Sequence, residues 1–233
     1  MAYSIKGLPW QYKGSKDVTQ CRTSAQVIEV AQLNWEVKKA EMVAKMPLSL
    51  DMDKNLDDLT EAKRRDNDAH ILGKNIYSRC DNQYCTYRDD YKVPLGMVKG
   101  KYTIVQNSAA FKFFDSVIGE NSAIWQTAGF FGNGERIFVS AKLPDNILVH
   151  GDPVENYLVF TNSHDGSSGV RVLFTPIRVI CQNTLNAAIR TSTNSFSIRH
   201  TESVHKNIEI AHEILGITKK RIKDTEWAYN VLA

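Results

Sequence analysis

Leu158-Val-Phe-Thr-Asn-Ser-His-Asp-Gly-Ser-Ser-Gly-Val-Arg-Val-Leu-Phe-Thr-Pro-Ile-Arg-Val-Ile-Cys-Gln-Asn-Thr-Leu-Asn-Ala-Ala-Ile189 decides how this chain is read. Apolar runs at Tyr157–Asn162 and Val170–Phe174 flank a Gly- and Ser-rich turn, Ser163–Gly169, and predict two antiparallel strands. Pro176 interrupts, and Ile177–Cys181 runs into a helix whose entry carries Gln182, Asn183 and Thr184. From Gly166 to Thr201 there is no carboxylate, while Arg171, Arg178, Arg190 and Arg199 recur. A strand–helix unit of that charge is where an anion such as a phosphate backbone can be held.

Working outward, Ile124–Phe131 and Glu135–Leu143 flank Gly132-Asn-Gly134, the clearest hairpin signal in the chain. Upstream, Pro94, Gly96 and Gly100 precede a short strand at Tyr102–Gln106. Asn107 and Ser108 then cap a helix carrying Phe111, Phe114, Val117 and Ile118, with Gly119 as its stop. Thr23 with Gln26 forms a capping-box signature, and Val27, Ala31, Trp35, Lys38 and Met42 recur at helical spacing until Pro47. Asn75–Arg88, with Tyr77, Tyr84 and Tyr87, fits a hairpin or a loop. Near the C-terminus, Val204, Ile208, Ala211 and Leu215 form an amphipathic stripe ending at Gly216, and Thr218 caps a basic helix, Lys219–Leu232.

This order predicts an α+β fold: an antiparallel sheet of about four to five strands packed with helices, and a helical C-terminal part. The expected organisation is an N-terminal arm at 1–22, a single core domain at 23–216 and a basic C-terminal helix at 217–233. Within the core domain, 51–68 reads as a solvated loop or insertion.

Composition bounds the rest. With 42% hydrophobic and 24% charged residues in 233, the chain is an ordinary globule with enough apolar material for a core. A net charge of +3 permits nucleic-acid binding without arguing for it. Cys80 and Cys85 are the only close pair among Cys21, Cys80, Cys85 and Cys181, and no second pair completes a zinc pattern. No run is long enough to span a bilayer, so a reduced, cytoplasmic protein is expected, without a membrane partner. There is no phosphate-binding Gly-x4-Gly-Lys-Ser/Thr loop, no dinucleotide fingerprint and no His-Glu-x2-His, so no cofactor is expected. The acidic residues of 51–68 lack the Gly and Glu spacing of a calcium loop.

Two kinds of chemistry compete. His164 and Asp165 could form an acid–base pair, with Ser163 or Cys181 as nucleophile and His200 as a further titratable group. The simpler account is that Ser, Asp and Gly here satisfy a turn, and that Cys181 is a buried structural thiol. In the binding account, Arg171, Arg178, Arg190, Arg199 and Lys142 hold phosphates, with Gln182 and Asn183 at the helix N-terminus. Asn183 also suits the N-cap itself. Trp125, Phe130, Phe131 and Phe174 are aromatics that could stack on bases or pack in the core.

Tyr102-x2-Val105-Gln-Asn107-x3-Phe111, Thr127-Ala-Gly129, Phe160-Thr-Asn-Ser-His-Asp-Gly166, Thr175-Pro-Ile-Arg-Val-Ile-Cys-Gln-Asn-Thr-Leu185 and Ile198-Arg-His-Thr201 resemble a phage/plasmid-like family, domain of unknown function 932. The resemblance runs from about Trp35 to Gly216 and implies a setting in phages and mobile elements, with no established activity. At fold level the chain is similar to phage single-strand annealing proteins of the RecT and Red-beta kind, which form rings or filaments on DNA. The expectation is therefore a phage-type protein that binds single-stranded DNA in an Arg-lined groove, in its sharpest form an ATP-independent annealing protein acting as a homo-oligomer. The alternatives are an enzyme acting on nucleic acid or nucleotide through His164, Asp165 and Cys181, and an interaction protein that inhibits a host defence.

Overall fold

Leu33, Trp35 and Val37 are buried while Asn34, Glu36 and Lys38 face solvent. That period of two belongs to a strand, and it sets the character of the N-terminal third. The computed structural model describes residues 14–47, 70–72, 75–109, 111, 114–115, 123–144, 146–149, 152–192 and 195–208. The helix opened by Thr23 is short: α1 covers Ser24–Val30, with the Thr23 hydroxyl accepting from the Gln26 N–H at 3.3 Å. It stops because Gln32 takes φ +56°, and the chain then enters strand β2, Val37–Pro47. The expected helix through Trp35 and Met42 is thus corrected to a seven-residue helix and a long strand.

The other strands are β1 (Ser15–Asp17), β3 (His70–Leu72), β4 (Asn75–Arg88), β5 (Pro94–Lys99), β6 (Ile124–Phe131), β7 (Arg136–Lys142), β8 (Ile147–Val149), β9 (Asp152–Val154), β10 (Tyr157–Ser163), β11 (Val170–Thr175) and β12 (Ser195–Ile198). The main sheet runs β1-β6-β7-β10-β11-β12, and every neighbouring pair is antiparallel. A second sheet runs β2-β4-β3 with β5 on the other side of β4, and β8 pairs β9 separately. Helix α2 covers Gln182–Thr191. The α+β expectation with four to five strands is overturned: the described fold is mostly β, with six strands in the main sheet and four in the second.

The hairpin at Gly132-Asn-Gly134 and the strand–turn–strand of the opening stretch form as expected, in register Phe131↔Arg136 and Thr161↔Arg171. Asn75–Arg88 is neither hairpin nor loop but one strand, and 94–99 is a strand where breakers were expected to interrupt. The helix predicted from Asn107 is present at 107–109, 111 and 114–115. β12, unexpected from the sequence, follows α2, and of the Val204 stripe 204–208 is helical, with Val204 and Ile208 buried. Ala211 to Gly216, the Lys219–Leu232 helix, the 51–68 segment and residues 1–13 lie outside the described residues.

Both faces of the main sheet are covered, so β10 is buried at every position. One face gathers Trp125, Val139, Leu158, Phe160 and Val172 with Val27, Leu33, Trp35 and Val105 from elsewhere in the chain. The other gathers Phe138, Val159 and Leu173 under Leu185 and Ala188 of α2. Glycines allow the closest approaches: a Cβ on Gly129 would lie 1.8 Å from the Gly14 carbonyl oxygen across β1. A Cβ on Gly96 would lie 2.5 Å from Cα of Asp165, so only glycine lets β5 abut the Ser163–Gly169 turn.

Arg88 joins the two sheets. Its guanidinium lies 4.3 Å from the Trp35 ring centre and 5.3 Å from that of Phe130. It donates to both Asp90 carboxylate oxygens, at 3.0 and 2.6 Å, and to the Asn133 carbonyl at 2.8 Å. Arg88→Ala strands Asp90 and empties the space between rings, and is expected to cost about 3 kcal/mol of stability. Urea unfolding of the variant measures this; a loss under about 1 kcal/mol would contradict the clamp.

Candidate functional site

Residues 102–106 were expected to form a strand, but they pair with no ladder. They form an extended strap between the two sheets, and polar side chains meet its backbone. The Thr103 N–H donates to the His200 carbonyl at 3.0 Å, and the Thr103 carbonyl accepts from His200 Nδ1 at 2.9 Å. Asn162 Nδ2 donates to the Val105 carbonyl at 3.0 Å. The Gln106 amide pairs with both backbone groups of Val37, at 2.9 and 2.8 Å. Tyr102 donates its hydroxyl to the Ser163 carbonyl at 2.7 Å, and its own carbonyl accepts from Lys39.

This strap carries the candidate site. A cavity of about 480 Å³ lies on one side of Tyr102, lined by Lys99, Lys101, Arg199 and His200 together with Met97 and the Gly166–Gly169 turn. A second, of about 680 Å³, lies on the other side and shares Lys101, Tyr102 and Thr201, with Lys39 and Glu202 on its walls. His200 stacks on Tyr102 with ring centres 4.4 Å apart and planes at 19°. Lys39 also donates to the Gly100 carbonyl at 3.1 Å and sits 5.5 Å from the Tyr84 ring centre. Burial holds the Lys39 ammonium below its usual pKa, and raises the Tyr102 phenol well above its own. Among the described residues, no carboxylate pairs with Lys99, Lys101 or Arg199, and Glu202 is the single acid lining either cavity.

Of the expected phosphate-binding residues, only Arg199 reaches this groove. Arg178 pairs with Asp17 at 3.5 Å, and Gln126, its amide oxygen turned toward the guanidinium, accepts from it at 3.2 and 2.9 Å. Lys142 is bound by Glu155, whose other oxygen accepts from Tyr157. Arg171 lies in register with Thr161 and Ser197, its Nε buried, and Arg190 is exposed in the last turn of α2. The helix entry is satisfied from within. Cys181, not Asn183, is the N-cap, and the Thr184 hydroxyl accepts from the N–H groups of Ile180 and Cys181 at 2.9 and 3.0 Å. Gln182 Nε2 donates to Asn186 at 2.9 Å. Trp125, Phe131 and Phe174 are buried and Phe130 is half-buried, so the aromatics offered for base stacking are core.

The candidate catalytic residues are not brought together. His164 is fully buried against Trp35, ring centres 5.5 Å apart, on the strap side of the sheet. Asn107 Nδ2 donates to the carbonyls of Leu33 and Trp35, so Asn107 Oδ1 accepts from His164 Nε2 at 2.9 Å and fixes the tautomer. Asp165 accepts from the Ser163 hydroxyl at 2.6 Å and the Ser167 N–H at 2.9 Å, which is turn chemistry. Burial pushes the Asp165 carboxyl up, but these donors outweigh it and leave it below the usual value. Cys181 caps α2, which packs on the opposite face. Burial raises its thiol, while the Thr184 and Asn183 N–H groups and the Thr184 hydroxyl bring it below the ordinary value. Lys39, Lys99 and Lys101 were missed by sequence reasoning; Lys99-Gly-Lys101 beside Tyr102 was the available signal.

Residues 94–233, which hold the groove-lining Lys99, Lys101, Arg199 and His200 and the whole strand–turn–strand–helix unit, match the family described as Domain of unknown function (DUF932). The chain belongs to that family. The match starts at β5 and takes in the strap, β6 to β12 and both helical segments that follow β11. No curated protein and no solved structure matches the chain.

Burial pushes the His164 pKa down to about 3, with the nearby His200 adding to the effect and Asp165 opposing it. His200 is also lowered by burial, against the Thr103 carbonyl. A ring kept neutral in the fold but free to protonate when unfolded lends stability at neutral pH that is lost on acidification. Stability is expected to fall as pH drops from about 6.5 toward 3, with the upper part of that limb, above about pH 5, preceding carboxylate titration. His164→Gln, which keeps a donor for Asn107, should flatten this upper limb in urea unfolding at stepped pH. An unchanged slope would contradict the buried neutral ring.

Proposed function

We propose that this DUF932 chain binds single-stranded nucleic acid, DNA first, with the phosphate backbone held along the strap groove. The observation that carries the reading is the group Lys99, Lys101 and Arg199 around the Tyr102–His200 stack, three cations without carboxylate partners among the described residues. Cations left unneutralised on two adjoining cavities raise the local potential and draw a polyanion. Two cavities meeting at one ridge suit a strand that can bend between successive phosphates, whereas a duplex is stiff over this length. The reading needs no nucleotide hydrolysis. It moves the interface away from the Arg171, Arg178, Gln182 and Asn183 surface and onto Lys99, Lys101 and Arg199.

Fluorescence anisotropy with a labelled single-stranded oligonucleotide tests it. Three neutralised phosphates give a log–log salt slope of about −2. The Lys101→Glu, Arg199→Glu double variant should lose at least tenfold in affinity, while Arg190→Glu on α2 should change little. No binding by the intact chain at low salt, or equal loss in both variants, would overturn the proposal.

A further inference from the structure

Strand β2 is the end of its sheet: β4 pairs it on one side, and among the described residues no strand pairs it on the other. One side chain does meet that open edge. The Gln106 amide bonds both the N–H and the C=O of Val37. Val37 therefore turns its backbone groups away from β4, and alternation along a strand turns those of Lys39, Glu41, Val43 and Lys45 the same way. The register shift between Glu41 and Val43 does not break this order, because its extra residues, 80–83, are in β4. An open row of N–H and C=O groups is a template for another strand.

Edge strands that stay single are guarded by like charges, especially Lys, whereas the outer half of β2 carries both signs. Glu41 and Lys45 are exposed on either side of Val43, which is itself 52% exposed. Glu41 lies 3.5 Å from Arg79, and among the described residues no carboxylate pairs with Lys45. A two-fold antiparallel pairing centred on Val43 sets Glu41 opposite Lys45 of a second copy, twice, and Met46 opposite Ala40. Centring on Glu41, Met42 or Lys45 instead opposes like charges: Glu41 to Glu41, Lys39 to Lys45, or Lys45 to Lys45. Centring nearer Val37 displaces Gln106. At the rise of a strand, Val43 lies about 20 Å beyond Val37, so the bodies of the two copies sit at opposite ends of the paired strands.

We infer that β2 is a self-association edge: two copies of this chain pair antiparallel about Val43, through residues 41–45, and join their second sheets into one. The inference goes beyond the strand-binding reading and does not depend on it.

Sedimentation-velocity ultracentrifugation of the intact chain over a concentration series tests it. The expected result is a dimer, with Glu41→Lys and Lys45→Glu each weakening self-association about tenfold or more, since each makes both cross-strand ion pairs repulsive. Mixing the two variants should recover the dimer as a heterodimer, because their edges then carry opposite charges throughout. The double variant with both exchanges should dimerise as well. A wild-type monomer throughout the series overturns the inference. A dimer indifferent to both single variants places the interface elsewhere and overturns it too. Loss in the single variants that neither the mixture nor the double variant reverses overturns the pairing about Val43.

Discussion

Everything in the described structure that positions the groove depends on how residues 102–107 satisfy their backbone without a ladder. A buried or half-buried run of extended chain must find partners for its N–H and C=O groups, because leaving one unmet costs on the order of 1–3 kcal/mol. Here the N–H groups of Tyr102 and Thr103 donate to the Lys99 and His200 carbonyls, and the carbonyls are met by side chains: Asn162 to Val105, His200 to Thr103, Lys39 to Tyr102. The strap's own side chains return the favour, with Gln106 on Val37, Asn107 on Leu33 and Trp35, and Tyr102 on Ser163. Side-chain amides and imidazoles thereby hold the second sheet against the end of β10.

That constraint explains why so many polar residues are buried in one place. Thr86, Asn107, Asn162, Ser163, His164 and His200 are all buried. The Thr86 hydroxyl donates to the His164 carbonyl at 2.7 Å. A histidine in this setting orients its neighbours and stays neutral; it has no open face from which to exchange a proton with a substrate. The Thr-Asn-Ser-His-Asp-Gly motif is thus a scaffold that fixes the strap and, through it, the exposed cations beside Tyr102.

Sequence reading succeeded where local chemistry decides local structure. Gly132 and Gly134 supply the positive φ values of a tight hairpin, and the apolar runs around Ser163–Gly169 pair across it. It failed where a short pattern fits two periods. Val27, Ala31 and Trp35 suit a helix, but Leu33, Trp35 and Val37 alternate, and burial of the alternating set against the main sheet prevailed. β1 and β12 were invisible because three- and four-residue edge strands owe their existence to partners far along the chain. For the site, Arg199 was legible as part of a carboxylate-free run. Arg178 and Lys142 were not separable from it, since Asp17 and Glu155, which neutralise them, come from other elements.

The proposed role therefore rests on a small set of exposed cations held by a buried polar framework, and not on the arginines of the strand–helix unit. Ultraviolet cross-linking of the intact chain to a single-stranded oligonucleotide, followed by mass-spectrometric mapping of the attached peptides, tests that placement most directly. The account predicts cross-links concentrated in peptides containing 99–103 and 199–201. Cross-links confined to α2 and the Arg171–Arg178 segment, with none at the strap, would contradict it.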